Sequence, residues 1–258
     1  MTVTREPYGG RFAFFAETGF AARLAFAAVL SFPFVFRRRS RGELVRQLYA
    51  ACIRTLPVVT VVSLFTGMIL ALQVGLELRR FNYEIYLGAA VMVSLVREMG
   101  PFSCGMCLAA CVGSAVAAEL AAMKVNDEIA ALEIMSISPV RFLAAPRMLA
   151  LVIASPLLGF FCCVVGTMGG GIVSATQLNV DFGQYIASAL SAADAKDLFV
   201  GLLKSLVFGF TIGAVAVYEG FGAGYGAAGV GRSTQRSVIT GFLLILMFGY
   251  MITRVAYR

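Results

Sequence analysis

The sequence predicts an all-α integral membrane protein with an N-terminal interfacial helix, five transmembrane helices, and a short cytoplasmic helix between spans 2 and 3. Of its 258 residues, 60% are hydrophobic and only 14% are charged, whereas soluble domains have roughly 45–50% and about 25%. The mean hydropathy is +0.87. Apolar runs of about 20 residues, enough to cross a bilayer core as a helix, recur along the chain. We expect one domain over residues 1–258.

The first apolar segment, residues 11–36, differs from the later ones because Arg23 lies in its middle and Pro33 near its end. Its strongest positive charge follows the apolar run, at 37–39, so the pattern is not that of a signal peptide. These features predict a helix lying in the cytoplasmic interface. The alternative that this segment spans the membrane stays open.

The remaining apolar runs are separated by polar turns. The five predicted spans are about 56–76, 85–122, 149–174, 198–218 and 237–252. The second run is too long for one crossing and, with its short break, too short for two. It predicts one long helix, bent at Gly100-Pro101. We interpret residues 220–236 as a glycine-rich inner loop.

Positive charge is distributed unevenly between the two predicted sides. The inner side holds the arginines from Arg5 to Arg54, then Lys124, Arg141, Arg147, Arg232 and Arg236, and the outer side holds only Arg79, Arg80, Lys196, Arg254 and Arg258. This asymmetry predicts a multi-pass membrane protein with its N-terminus cytoplasmic and its C-terminus on the outer side. Since the net charge of +7 is placed in this way, a nucleic-acid partner is not expected.

Arg97 and Glu98 are ionisable residues inside a predicted span, joined by Lys204 in the fourth. Charges in hydrocarbon are costly and commonly functional. Neighbouring residues project about 100° apart on a helix, so Arg97 and Glu98 cannot form a same-face pair. Two interpretations stay open. They are satisfied between packed helices, or with Lys204 they line a polar pocket or gate.

The segment over about 127–138, between the second and third spans, is charged and amphipathic. Its polar residues are Asp127, Glu128 and Glu133, and its apolar residues recur at Ile129, Leu132 and Met135. Such a face suits docking into a groove on a soluble partner. The alternative is an ordinary loop helix.

Several kinds of chemistry are disfavoured by the sequence. Because the chain has no histidine, it lacks the commonest general base and metal ligand. Cys104, Cys107 and Cys111 share one helical face, for which helix packing is favoured over a metal or redox site. We therefore predict no catalytic residues, no metal and no cofactor in this chain.

Two glycine motifs bear on nucleotide binding. Gly224-x-Gly226-x-x-Gly229 resembles a dinucleotide fingerprint, but it follows a membrane span rather than a β-strand. No lysine follows a glycine, so no P-loop is present. Any ATP that energises this protein would be bound by another subunit.

Specific motifs in order along most of the chain are similar to those of the MlaE/YrbE permeases, the membrane subunits of ABC lipid transporters that work with MCE-domain proteins. They are Thr66-Gly67-Met68-Ile69-Leu70-Ala71-Leu72-Gln73, Leu95-Val96-Arg97-Glu98-Met99-Gly100-Pro101, Gly113-Ser114-Ala115, Ala118-Glu119, Met123-Lys124, Glu128 with Leu132-Glu133-Ile134-Met135, Ser138-Pro139, Pro146-Arg147, Lys204-Ser205-Leu206-Val207-Phe208-Gly209 and Arg232-Ser233-Thr234-Gln235-Arg236-Ser237-Val238.

The resemblance implies a homodimer with two copies of a cytoplasmic ABC ATPase and a hexameric MCE-domain protein outside, with a STAS-domain subunit in some systems. It implies that segment 127–138 is the coupling helix. It also makes Arg97, Glu98 and Lys204 the candidate lipid-binding residues. Three positions depart from the family pattern: Cys111, Ser138 before Pro139, and Gly249 or Tyr250 where a membrane aspartate is common.

The resemblance implies a permease subunit of the bacterial inner membrane, with its C-terminus periplasmic. We expect it to move lipid, specifically phospholipid, between the inner membrane and the outer membrane or envelope. Two alternatives are an intramembrane lipid-modifying enzyme and a membrane scaffold without transport. The enzyme is disfavoured because no base accompanies the membrane serines and cysteines.

Overall fold

The computed structural model describes residues 41–258, together with Ala27 and Leu30. The rest of the predicted interfacial segment 11–36 and the arginines at 37–39 lie outside the described residues. The described part is built from α-helices without β-strands. Its helices are α1 (Arg41–Tyr49), α2 (Leu56–Arg80), α3 (Leu87–Ser94), α4 (Gly100–Leu108), α5 (Ser114–Val125), α6 (Glu128–Ile134), α7 (Ala145–Gln177), α8 (Phe182–Ser191), α9 (Ala195–Phe221) and α10 (Gly226–Ala256).

Shorter π-helical and 3₁₀ turns join several of these helices into longer rods. The π turns are Ala50–Arg54, Leu95–Met99, Ala109–Gly113 and Val140–Ala144, and the 3₁₀ turn is Glu84–Tyr86. A π turn inserts one residue into the helical hydrogen-bond pattern and is common at functional sites. The predicted bend at Gly100-Pro101 is thus preceded by a π turn rather than by a break in the helix.

Within the part of the chain that the structure describes, five helical stretches are long and apolar enough to cross a membrane. They are Gly42–Arg80, Glu84–Val125, Val140–Gln177, Ala195–Phe221 and Gly226–Ala256. The predicted all-α, five-span membrane fold is confirmed. The second stretch has 42 residues, or roughly 63 Å of helix, which exceeds the thickness of a bilayer core.

The predicted inner loop over residues 220–236 is wrong, because α10 already begins at Gly226 and the last span is not short. Glycine residues allow the connection between α9 and α10 to be short. Gly226 has φ of +74°, and a Cβ on Gly229 would lie 2.0 Å from the carbonyl oxygen of Gly224. Only glycine permits so close an approach. Because glycine has a low helix propensity, the sequence predicted a loop in this segment.

The predicted coupling helix is shorter than expected. Instead of 127–138, α6 covers only Glu128–Ile134, and Asp127 precedes it with φ of +56°. Ser136 also has a positive φ, of +59°. The chain therefore leaves the helix before reaching Ser138-Pro139, which the sequence suggested as the stop.

Packing contacts divide the chain into two compact units, each assembled from three stretches. The first unit contains Leu108–Ala154 and Gly209–Leu244, with residues up to Ile53, and the second contains Arg54–Cys107, Ser155–Phe208 and Ile245–Arg258.

The second unit has a core in which α8 packs against the membrane helices. The buried side chains of this core are Ala71, Leu87, Val91, Leu95, Val173, Leu178, Val180 and Tyr185. Glycines bring the backbones together: a Cβ on Gly67 would lie 1.9 Å from the Gly166 carbonyl oxygen, and one on Gly88 would lie 2.1 Å from that of Tyr185. Small residues in membrane helices favour such contacts.

The first unit is held partly by polar contacts. Arg147 Nη2 lies 3.1 Å from Glu119 Oε2, and Lys124 Nζ donates to the Phe221 carbonyl at 2.7 Å. Ala145 and Leu149 form a small buried cluster with Leu44 and Ile153.

Candidate functional site

Arg97 and Glu98 lie in the π turn Leu95–Met99, which belongs to the second unit. The amide of Gly100 donates to the carbonyl of Leu95, five residues earlier. Pro101 has no N–H, so it cannot donate to the carbonyl of Arg97 four residues before it. The ammonium group of Lys204 donates to that carbonyl at 2.7 Å.

Lys204 lies at the centre of this site and is fully buried. Besides the Arg97 carbonyl, its Nζ lies 2.7 Å from Glu98 Oε1 and 2.6 Å from Thr253 Oγ1. An ammonium group has three donors, and all three are thus used. The Thr253 hydroxyl lies 2.5 Å from the same Glu98 oxygen, to which it donates. The buried ammonium group of Lys204 therefore has no donor left over.

Arg97 pairs with a different carboxylate. Its Nε donates to Asp197 Oδ2 at 2.8 Å, and Tyr257 donates its hydroxyl to Asp197 Oδ1, also at 2.8 Å. The Arg97 guanidinium carbon lies 4.4 Å from the centre of the Tyr257 ring, within cation–π range. The sequence prediction that Arg97 and Glu98 do not pair on one face agrees with these separate partners.

The two ion pairs expose opposite members. In the first, the Glu98 side chain is 43% exposed and that of Lys204 is 1% exposed. In the second, the Arg97 side chain is 41% exposed and that of Asp197 is 5% exposed. The site therefore presents one carboxylate and one guanidinium group from adjacent residues.

Glu98 opens into a groove of about 280 Å³ in the second unit. The groove is lined by Glu98, Phe102, Phe208, Ile245, Leu246, Gly249, Tyr250 and Thr253. Its walls are thus aromatic and aliphatic, while Glu98 and Thr253 supply polar groups. Such a groove suits a molecule that is apolar over most of its length and polar at one point.

The predicted ATPase-coupling residues lie on and around α6 in the first unit. Asp127 and Glu128 are exposed, Ile129 is buried, and Leu132 and Glu133 are half-buried. Met135 is 60% exposed, and Ile134, which the sequence prediction left out of this set, is 85% exposed. The apolar stripe at three-residue spacing is therefore buried at Ile129 and exposed at its C-terminal residue, Met135.

The cysteines form no metal centre in residues 41–258, where no group of three or more histidine, cysteine, aspartate or glutamate side chains is arranged around a common point. Cys104 and Cys107 are buried thiols, and Cys111 is half-buried. The Cys104 thiol lies 3.5 Å from the Ser155 carbonyl oxygen. These contacts are those of helix packing.

Asp197, Thr253 and Tyr257 are site residues that the sequence predictions missed. Asp197 lies seven residues before Lys204, two helical turns along one face of α9, and this spacing could have indicated it. Thr253 and Tyr257, one turn apart, fall beyond the predicted last span, which ended at 252. A longer last helix would have brought both into consideration.

Residues 44–255 match the family described as Permease MlaE. The chain belongs to the MlaE permease family. The predicted family resemblance is thereby confirmed, and the five apolar helices of the described residues support a multi-pass membrane protein.

Two curated relatives illustrate the range of similarity. A probable ABC transporter permease protein of Rickettsia typhi is 38% identical over 215 residues, which cover 83% of each chain. The MlaE permease protein of an intermembrane phospholipid transport system in Haemophilus influenzae is 29% identical over 245 residues, covering 95% of this chain and 93% of the relative.

Proposed function

We propose that this chain is the permease subunit of an ABC-type transporter that moves phospholipid between the inner membrane and the outer membrane or envelope. The observation that carries the proposal is the groove of about 280 Å³, apolar along its walls and polar where Glu98 and Thr253 meet it. A phospholipid has the same two parts. Acyl chains would lie against Phe102, Phe208 and Ile245, with the headgroup toward the ionic residues.

The cations of the site have different roles in this proposal. Lys204 would support the site by fixing Glu98 and the π turn, since its three donors are already used. Arg97, whose side chain is 41% exposed, would be the cation that meets the anionic headgroup. The predicted substrate-binding set of Arg97, Glu98 and Lys204 thus becomes two contacting residues and one supporting residue.

We infer the partners from the family resemblance and from the sequence. One relative is named a probable ABC transporter permease and another a phospholipid transport permease, which supports a separate ATPase as the source of energy. A second copy of this chain would close the open side of the groove. Met135 and Ile134 would contact the ATPase, and an MCE-domain hexamer would receive lipid outside.

Purification in mild detergent tests this assembly. We expect the tagged chain, expressed with its native partners, to copurify with an ABC ATPase, and native mass spectrometry to show bound phospholipid. ATP hydrolysis stimulated by phospholipid would exclude a passive scaffold. A preparation with no ATPase, or one that converts lipid chemically, would contradict the proposed function.

Filling the groove tests the lipid path itself. A Cβ on Gly249 would lie 3.3 Å from Phe208 Cζ, so Gly249→Leu should project into the groove and abolish phospholipid binding. Leu157→Phe is the matched control, because Leu157 is an exposed residue on another helix and outside the lining. Equal lipid binding by the two variants would remove the groove from the transport path.

A further inference from the structure

The guanidinium group of Arg97 is held on two sides by residues at the ends of two other helices. Asp197, in the first turn of α9, accepts from Nε at 2.8 Å. The ring of Tyr257, directly after α10, lies 4.4 Å from the guanidinium carbon. Tyr257 also donates to the other Asp197 oxygen at 2.8 Å. The three side chains therefore fix one another.

This arrangement leaves the outer edge of Arg97 available. A guanidinium group has five N–H donors, and the one on Nε is used. Among residues 41–258, no hydrogen-bond partner meets the two terminal amino groups of Arg97. Two parallel N–H donors at the end of a fixed arginine match two oxygens of a phosphate group.

The carboxylate that holds Arg97 has both of its oxygens engaged by hydrogen bonds. Asp197 is buried, and its two oxygens already accept from Arg97 and Tyr257. The first turn of a helix also favours a negative charge. The Lys196 ammonium group, 5.7 Å from the centre of the Tyr257 ring, adds a second cation.

The site lies where two membrane helices end. Asp197 is the third residue of the stretch Ala195–Phe221, and Tyr257 follows the last residue of Gly226–Ala256. Lipid headgroups and amphipathic aromatic rings occupy this level of a membrane. A phosphate joined to acyl chains would meet both the arginine edge and, through the neighbouring residue Glu98, the apolar groove.

We propose that Asp197 and Tyr257 are positioning residues that hold the free edge of Arg97 for the phosphate of a lipid headgroup. This inference rests on the proposed function and adds to it the basis of headgroup selection. Tyr257 remains a neutral donor at physiological pH, because burial and its hydrogen bond to Asp197 raise its pKa to about 12. Its contribution should therefore be the same from pH 6 to pH 9.

The test compares the binding of phosphatidylglycerol with that of diacylglycerol, which has the same chains and no phosphate. Tyr257→Phe removes the hydroxyl but keeps the ring, Asp197→Asn removes the charge, and Asp197→Glu restores it. Binding to the purified complex is measured by native mass spectrometry at several lipid ratios. Inorganic phosphate is added separately as a competitor.

We expect Asp197→Asn to lower the preference for phosphatidylglycerol about tenfold, since a charge-assisted hydrogen bond contributes on that order. Tyr257→Phe should lower it by a smaller factor, and Asp197→Glu should recover part of it. Diacylglycerol binding should stay unchanged in all three variants. A purely structural role would instead weaken both lipids together. Tyr83→Phe, at an exposed tyrosine in the same unit, is the control and should bind as the wild type does.

Each outcome bears on a different claim. Unchanged lipid preference in Tyr257→Phe and Asp197→Asn would overturn the positioning role while leaving the proposed transport function intact. A wild-type complex that binds neither lipid would instead contradict the proposed function. If millimolar inorganic phosphate displaces bound phosphatidylglycerol as well as added phosphatidylglycerol does, the ligand is a free anion and not a headgroup. That result would also overturn this inference.

Discussion

The Lys204 end and the Arg97 end of the ionic site use the same chemistry in opposite ways. At the Lys204 end the cation is buried with all three donors used, and the carboxylate of Glu98 faces the groove. At the Arg97 end the carboxylate of Asp197 is buried, and the cation is exposed. The comparison shows that the Lys204 ammonium group has every donor occupied within the protein, whereas the Arg97 guanidinium group is partly exposed.

A third pair, in the first unit, shows that burying the cation is not peculiar to the site. Arg147 is buried and contacts the half-exposed Glu119, and its Nε has no partner among the described residues. Lys204 has no such unsatisfied donor. Complete satisfaction of a buried cation therefore distinguishes the Lys204 end.

The largest loss of stability is expected at the Lys204 end, where the cation is buried and its carboxylate is exposed. Glu98→Ala leaves a buried ammonium group without its carboxylate, which should cost about 3–5 kcal/mol of stability. Lys204→Met leaves the Glu98 carboxylate, which reaches the groove, without its partner. The loss of stability in this variant should therefore be clearly smaller. The measurement is the free energy of unfolding in a fixed detergent and lipid mixture.

The double variant Glu98→Ala with Lys204→Met is the control for this prediction. It removes both charges together, so it should be more stable than Glu98→Ala alone. Equal losses of stability in Glu98→Ala and Lys204→Met would show that burial of the remaining charge does not determine which variant is less stable.

The next effect reverses that order at the Arg97 end. Arg97→Met leaves the buried Asp197 carboxylate with only the Tyr257 hydroxyl, and we expect a loss of roughly 1.5–3 kcal/mol, the range for a hydrogen bond to a charged group. Asp197→Asn should cost less, because the exposed guanidinium can be solvated. A larger loss in Asp197→Asn would contradict the assignment of Asp197 as the buried member.

A smaller effect is expected at Thr253, which connects the last helix to Lys204. Thr253→Val removes an acceptor from the buried ammonium group, and the loss should be about 1–3 kcal/mol. Thr176→Val is the matched control, since Thr176 is exposed and its hydroxyl donates to the Ile172 carbonyl of its own helix. The control should change stability by less than about 0.5 kcal/mol. Similar losses in both would mean that the hydroxyl contributes nothing to the ionic site.

The smallest effect is expected at Lys196. It lies 5.7 Å from the Tyr257 ring, and a surface cation–π contact contributes about 0.5–1 kcal/mol. Lys196→Met should therefore leave stability nearly unchanged, as measured by the same unfolding assay. A loss as large as that of Arg97→Met would show that the two cations share the Tyr257 ring equally.

The sequence predicted the membrane fold and the charged residues better than their pairing. Long apolar runs determine spans by length, and charges within them stand out, as Arg97, Glu98 and Lys204 did. Which carboxylate meets which cation depends on a π turn at Leu95–Met99, which shifts the helical register by one residue. No residue type specifies such a turn, although Pro101 removes a donor nearby.

The residues missed by sequence reasoning lie at helix ends. Asp197 and Tyr257 fall at the start of α9 and just after α10, where polar residues are ordinary and apolar periodicity ends. The early start of α10 at Gly226 was missed for a related reason, because glycine disfavours helices on average. Only tertiary packing decides that this glycine turn leads directly into a helix.

We propose that Arg97, and not Lys204, contacts the headgroup. The direct measurement is the ratio of phosphatidylglycerol to diacylglycerol bound by Arg97→Met and by Lys204→Met, at a temperature where both complexes are folded. The ratio should fall about tenfold in Arg97→Met, which loses a charge-assisted contact, and should fall clearly less in Lys204→Met, which keeps that contact. A ratio that falls in Lys204→Met and not in Arg97→Met would contradict the claim.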